Sequence, residues 1–130
     1  MIVVDASAVL EVLLRTRMAG RVEARLFGRA SLHAPHLLDV EVAQVLRRYA
    51  SRGELTAARG AEALADLAAF PLARYPHDLL LGRMWQLREN LTAYDAAYVA
   101  LAEALGAPLV TRDERLAAAP GHRAVVELVG

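Results

Sequence analysis

Met1-Ile2-Val3-Val4-Asp5-Ala6-Ser7 opens the chain, and Ala8-Val9-Leu10-Glu11-Val12-Leu13-Leu14 follows directly. The first stretch is an apolar run of strand length that stops at a carboxylate and two small residues. Ile2, Val3 and Val4 lack polar alternation, the pattern of a strand covered on both faces in a parallel sheet. Asp5 therefore falls at the carboxyl end of a strand, where open α/β sheets bind their ligands. The second stretch starts a helix at Ala8, and Ser7 can cap it without help from Asp5. Taken alone, Asp5 reads equally well as a structural cap, so the other acids must decide.

Composition narrows the classes. A chain of 130 residues with a hydrophobic fraction of 56% has enough apolar material for one domain, residues 1–130, but not for two. No apolar run approaches bilayer-spanning length, and no basic leader precedes the first strand, so the expected location is cytoplasmic. The absence of cysteine excludes disulfides and thiolate chemistry, and the four histidines show no zinc-like spacing. Net charge is zero, so attraction to nucleic acid would have to come from local patches. All fifteen basic residues are Arg, which suits bidentate phosphate contacts.

Further along, Ala8 to about Arg15 and Met18 to about Phe27 read as two short helices, broken at Gly28. Arg15, Arg17, Arg21, Arg25 and Arg29 concentrate positive charge in this arm. A solvated helix face is the common explanation of such a run. Contact of Arg15 and Arg17 with substrate or partner is the sharper one. Ser31 to Ala34 is a second strand ended by Pro35. From His36 to Ser51, Leu38, Val42, Val45 and Tyr49 recur at helical spacing, and Glu41 lies nearer that stripe than Asp39. Thr56 opens a helix through Phe70; Pro71 to Tyr75 is a third strand; His77 to Glu89 is a fifth helix, whose Leu79, Leu80, Met84, Trp85 and Leu87 suit a core or an interface. Thr92 starts a sixth helix running to Leu105, with Gly106 as its stop. Thr92 and Asp95 together resemble a capping box. Pro108 to Thr111 is a fourth strand, again ending at a hydroxyl and an acid, with Asp113 placed to cap a turn over Glu114 to Ala119. Ala124 to Val129 is a fifth strand at the sheet edge.

This alternation predicts a three-layer α/β/α sandwich around a mostly parallel sheet of four to five strands. Right-handed crossovers put every strand-to-helix turn on one edge. Asp5, Glu41, Asp95 and Asp113 then share one rim. Each has a capping explanation, but together they leave a cluster of carboxylates without an obvious basic partner. Such groups repel unless a cation intervenes. All-oxygen ligation suits Mg²⁺ or Mn²⁺, and Mg²⁺ takes one or two carboxylates with waters and substrate phosphate. The chemistry implied is metal-dependent phosphodiester hydrolysis, by one ion or by two.

Val4-Asp5-Ala6-Ser7-Ala8, Glu41 within Leu38 to Leu46, Asp95 within Leu91 to Tyr98, and Thr111-Arg112-Asp113 closely resemble PIN-domain ribonucleases, with the length and layout of VapC-type toxins. The resemblance spans essentially the whole chain, and four motifs in order give it its weight. It implies a homodimer that cleaves RNA with Mg²⁺ or Mn²⁺ and is inhibited by a VapB-type antitoxin. It also implies that Asp5 and Asp95 are the principal ligands, that Glu41 and Asp113 complete the acidic pocket, and that Ser7, Thr92 and Thr111 are supporting hydroxyls. Family members tend to carry further acids after the fourth position, where Arg115 stands here.

Three other readings compete. Aspartyl-phosphate chemistry of the receiver or haloacid-dehalogenase type leans on a Lys, and this chain has none. A PIN fold without catalysis would bind RNA or act as a scaffold, but the presence of all four acids argues against it. A DNA-directed nuclease differs only in substrate.

Overall fold

The computed structural model describes all 130 residues. Its strands are β1 (Ile2–Val4), β2 (Leu32–Pro35), β3 (Leu72–Tyr75), β4 (Leu109–Thr111) and β5 (Val126–Leu128). All pair in parallel, in the order β3-β2-β1-β4-β5. β1 is central and wholly buried, as its unbroken apolar run requires. It pairs Val3 with His33 on one side and Val4 with Val110 on the other. The chain leaves β1 towards β2 and β3, then returns to place β4 on β1's other flank. The strand order therefore reverses between β1 and β4, the position where such sheets form a ligand crevice.

Seven helices cover the sheet: α1 (Ala6–Leu13), α2 (Ala19–Leu26), α3 (Leu37–Ser51), α4 (Ala57–Ala69), α5 (Leu81–Gln86), α6 (Ala93–Leu105) and α7 (Glu114–Ala118). α6 packs on β1, β2 and β4 with α5 behind it, whereas α1 to α4 pack on one another, α1 meeting β4 and α3 meeting β2. Sandwiched in this way, α6 buries every residue from Ala96 to Leu101. No helix is long and apolar enough to cross a membrane.

Three local expectations change. Helix α1 begins at Ala6, and its cap is Asp5, whose side chain accepts from the Ala8 N–H; Ser7 is spent elsewhere. On α3 the buried rungs are Leu38, Val42 and Leu46, while Val45 and Tyr49 stay partly open. The expected fifth helix shrinks to a 3₁₀ turn over Asp78–Leu80 followed by the six residues of α5. Only Leu80 and Leu87 are fully buried there, with Met84 packed partly buried against the core; Leu79 and Trp85 are 87% and 67% exposed. With Gly82 between them, these apolar residues form no single stripe that could hold a longer helix.

α1 ends in an unusual way. Leu14 is its C-cap, and Arg15 follows in the left-handed region with φ of 53°. That position normally belongs to glycine, because a Cβ crowds the following carbonyl there. Arg15→Gly is therefore expected to stabilise the protein by about 0.5–1 kcal/mol, read as a Tm higher by a few degrees in a thermal melt. An unchanged or lower Tm would show that the Arg15 side chain returns more than the strain removes.

Candidate active site

Asp5 follows β1, and Asp113 follows β4, the neighbouring strand across the switch point. Glu41 lies in the second turn of α3 and Asp95 in the first turn of α6. All four acids named from the sequence thus come to one rim. Their charges are coupled in a closed ring, since Asp5 feels Asp113, Glu41 feels Asp5 and Asp95, and Asp95 feels Asp113.

Asp5 is the most constrained member. It is 6% exposed, and its Oδ1 accepts from the Ser7 hydroxyl at 2.7 Å and the Ala8 N–H at 3.1 Å. Oδ2 accepts only from the fully buried Thr111 hydroxyl, at 2.5 Å, and so keeps a lone pair for another partner. Each hydroxyl has one proton, and both protons go to Asp5; the 3.2 Å approach of Ser7 to Thr111 is then a contact between acceptors. The hydroxyls accept in turn. Arg112 N–H binds Ser7 Oγ at 2.9 Å, and Asp113 N–H binds Thr111 Oγ1 at 2.9 Å. The turn after β4 is thereby fastened to the turn after β1, which sets Asp113 beside Asp5.

Thr92 contributes differently. Its oxygen accepts the Asp95 N–H at 3.2 Å, capping α6 and fixing where Asp95 leaves the helix. Asp113 is itself a cap, accepting from the Arg115 N–H at 2.9 Å, so the structural explanation of this acid holds alongside the chemical one. Arg115 also brings its guanidinium to 3.7 Å from Asp113, but at 90% exposure it is a weak counter-charge. Asp39, set aside in favour of Glu41, pairs instead with Arg74 at 2.8 Å.

The sequence did not reveal Tyr98. It is buried in α6 and donates its hydroxyl to Glu41 Oε1 at 2.5 Å, leaving Oε2 open. The available signal was its place one helical turn after Asp95, the lone polar atom in an otherwise apolar run from Ala96 to Leu101.

Burial is the largest influence raising the proton affinity of Asp5, Glu41 and Asp95, and neighbouring carboxylates add to it. Thr111, Ser7 and the Ala8 N–H oppose it at Asp5, Tyr98 opposes it at Glu41, and Arg115 and Thr92 oppose it at Asp95. Burial and the charge on Glu41 likewise push the Tyr98 phenol far up, so it stays a donor. No three His, Asp or Glu side chains converge into a ready-made metal cage. The donors are nevertheless all oxygen, mutually repulsive and short of cations, with a lone pair open on Asp5. Such a set fits a hard divalent ion that uses one or two carboxylates and keeps water for the rest.

With this geometry in view, comparison with known proteins places the chain. The PIN domain model matches residues 2–121. The chain belongs to the PIN-domain family. Among its relatives, Ribonuclease VapC9 of Mycobacterium tuberculosis (strain ATCC 25618 / H37Rv) is 51% identical over 116 residues, covering 89% of this chain and 88% of that one. PAE2754 from Pyrobaculum aerophilum shares the fold with a TM-score of 0.69 at 28% identity, over 96% of this chain and 81% of that one. VapBC2 from Rickettsia felis, bound to a DNA fragment from its promoter, has a TM-score of 0.71 at 12% identity and covers 98% of both chains, which speaks to the fold alone.

Because Glu41 holds its proton more tightly in the folded PIN domain than in the unfolded chain, its charge costs stability above the ordinary carboxylate range. Glu41→Gln keeps an acceptor for Tyr98 and removes that charge. In metal-free protein the variant should melt a few degrees above wild type at neutral pH. That gain should shrink as pH falls through the raised Glu41 value towards 4.5, the ordinary one. His33, lowered by burial, tilts both melting curves the other way, so the difference between the two proteins is the readout. A variant that melts lower at every pH would refute the raised proton affinity of Glu41.

Proposed function

We propose that this protein is a metal-dependent endoribonuclease of the VapC kind, the toxin of a toxin–antitoxin pair. The observation that carries the reading is the coupled ring of Asp5, Glu41, Asp95 and Asp113 at the β1/β4 switch point of a PIN domain. The 51% identity to a named ribonuclease over most of both chains supports RNA over DNA as the substrate. A cytoplasmic location belongs to the same reading.

Asp5 and Asp95 are the principal ligands of Mg²⁺ or Mn²⁺, and Glu41 and Asp113 complete the pocket. When bound, the ion supplies Lewis acidity towards the phosphate and an activated water. The chain's own residues prepare that site. Ser7 and Thr111 hold Asp5 from both sides so that Oδ2 presents its remaining lone pair. Tyr98 fixes one oxygen of Glu41 and leaves Oε2 to take a proton or orient a water. Thr92 acts through the helix cap, setting where Asp95 emerges.

A VapB-type antitoxin is the proposed partner, supported by the 51% identity to Ribonuclease VapC9. A homodimer is proposed through Leu79, in the 3₁₀ turn, and Leu81 and Trp85, on α5, large apolar side chains left exposed. Arg15 and Arg17 are proposed to touch substrate. Both are exposed, neither is held in an ion pair, and Arg15 sustains backbone strain of the kind that collects at functional sites.

The purified, antitoxin-free protein should cut at least one member of a panel of tRNA, ribosomal RNA and single-stranded DNA. Cutting should require Mg²⁺ or Mn²⁺ and stop with EDTA. Asp5→Asn should lose at least a hundredfold in rate, because an amide cannot serve as an anionic ligand and its NH₂ opposes the Ser7 and Thr111 donors. Preferential cleavage of DNA would move the protein to the DNA-directed reading, and cutting that survives Asp5→Asn would place the chemistry elsewhere.

A further inference from the structure

A groove of about 670 Å³ runs between α1 and α3, away from the acids. Ser7 and Glu41 line it at the catalytic end, so it is continuous with the site. Farther along, the walls carry Leu10, Glu11, Gln44, Arg48 and Tyr49, and Tyr94 from the start of α6, next to Asp95, also lines the groove at 62% exposure. From Glu41 to Arg48 is seven residues, roughly 10 Å along the helix.

Arg48 brings positive charge to a groove that the acids Glu41 and Glu11 also line. Glu41 stands at the near end. At the far end Arg48 is exposed and enters no ion pair. There Glu11 accepts the Thr16 hydroxyl at 2.6 Å, which draws the loop carrying Arg15 and Arg17 to the same end. Arg48 therefore stands two helical turns from Glu41 along the groove, the Gln44 amide lies between them on α3, the loop of Arg15 and Arg17 is tied to Glu11 in the same lining, and the Tyr94 ring stands next to Asp95. Bases of unpaired RNA are recognised by this combination: stacking on an aromatic ring, hydrogen bonds to the base edge, and Arg on phosphate. A purely apolar peptide would leave Gln44 and Arg48 without partners.

We propose that the α1–α3 groove is the binding site for the unpaired nucleotide next to the scissile phosphate of a single-stranded RNA segment. Tyr94 stacks on the base, Gln44 reads its edge, and Arg48, with Arg15 and Arg17, takes the following phosphate. This assignment rests on the ribonuclease reading and adds to it the residues that set sequence preference. Tyr94 and Gln44 are exposed and distant from the core, so their variants test recognition rather than folding.

The experiment uses the full chain with Mn²⁺ and an RNA whose single-stranded loop is randomised, with the ends of the products sequenced. Tyr94→Ala is expected to lower kcat/KM by about tenfold. Gln44→Ala should flatten the nucleotide preference at one position adjoining the cut. Arg48→Ala should reduce the slope of log affinity against log salt by about 0.7, the loss of one single-strand phosphate contact. Wild-type cutting with an unchanged profile, rate and salt slope in all three variants would overturn the groove assignment alone. An unchanged profile together with lost capture of a VapB-type antitoxin would give the groove to a protein instead. A wild-type protein that cuts no RNA would overturn the ribonuclease reading, and this assignment with it.

Discussion

The structure turns on one buried carboxylate. Asp5 follows the central strand, caps the first helix and stands in the core of the site, where burial favours the neutral acid. Three donors, from Ser7, Ala8 and Thr111, resist that change. Two of them belong to the first turn of α1 and the third to β4, so the bonds that favour the charged form of Asp5 also join the two strands at the switch point. Capping and chemistry are therefore not rival explanations of this residue. The cap fixes the carboxylate's orientation, and the fixed orientation leaves Oδ2 with room for a cation.

The same double use recurs around the rim. Asp113 caps α7 and raises the proton affinity of both Asp5 and Asp95; Thr92 caps α6 and aims Asp95. Glu41 is held by a buried phenol, and Asp39, two residues earlier on the same helix, is taken by Arg74 outside the site. A helix N-terminus welcomes acids for its own reasons. What distinguishes these four is that they face one another, at an electrostatic cost that a divalent cation would relieve.

Most of this was legible because the fold depends on signals that sequence carries well. The unalternating Ile2-Val3-Val4 run marked a buried parallel strand, and right-handed crossovers then placed every strand-to-helix turn on one rim. The winding of α3 separated Glu41 from Asp39. What was lost depended on contacts between distant residues. Tyr98 pairs with Glu41 across 57 positions, and nothing local distinguishes such a tyrosine from core filling. The extent of α5 was overstated because Leu79 and Trp85 are apolar yet exposed, so hydrophobicity there reported a surface rather than a helix face. The capping role passed from Ser7 to Asp5 because the helix begins at Ala6, which puts Ser7 inside its first turn, where its oxygen accepts the distant Arg112 N–H instead.

The central claim is that Asp5, Glu41 and Asp95 form one mutually repelling set that a divalent cation relieves. Carbon-detected NMR titration of the side-chain carboxyls, with and without saturating Mg²⁺, measures this directly. In metal-free protein all three should titrate above the ordinary carboxylate range, and Mg²⁺ should bring them down together. Ordinary titration of the three groups, unmoved by Mg²⁺, would contradict the account.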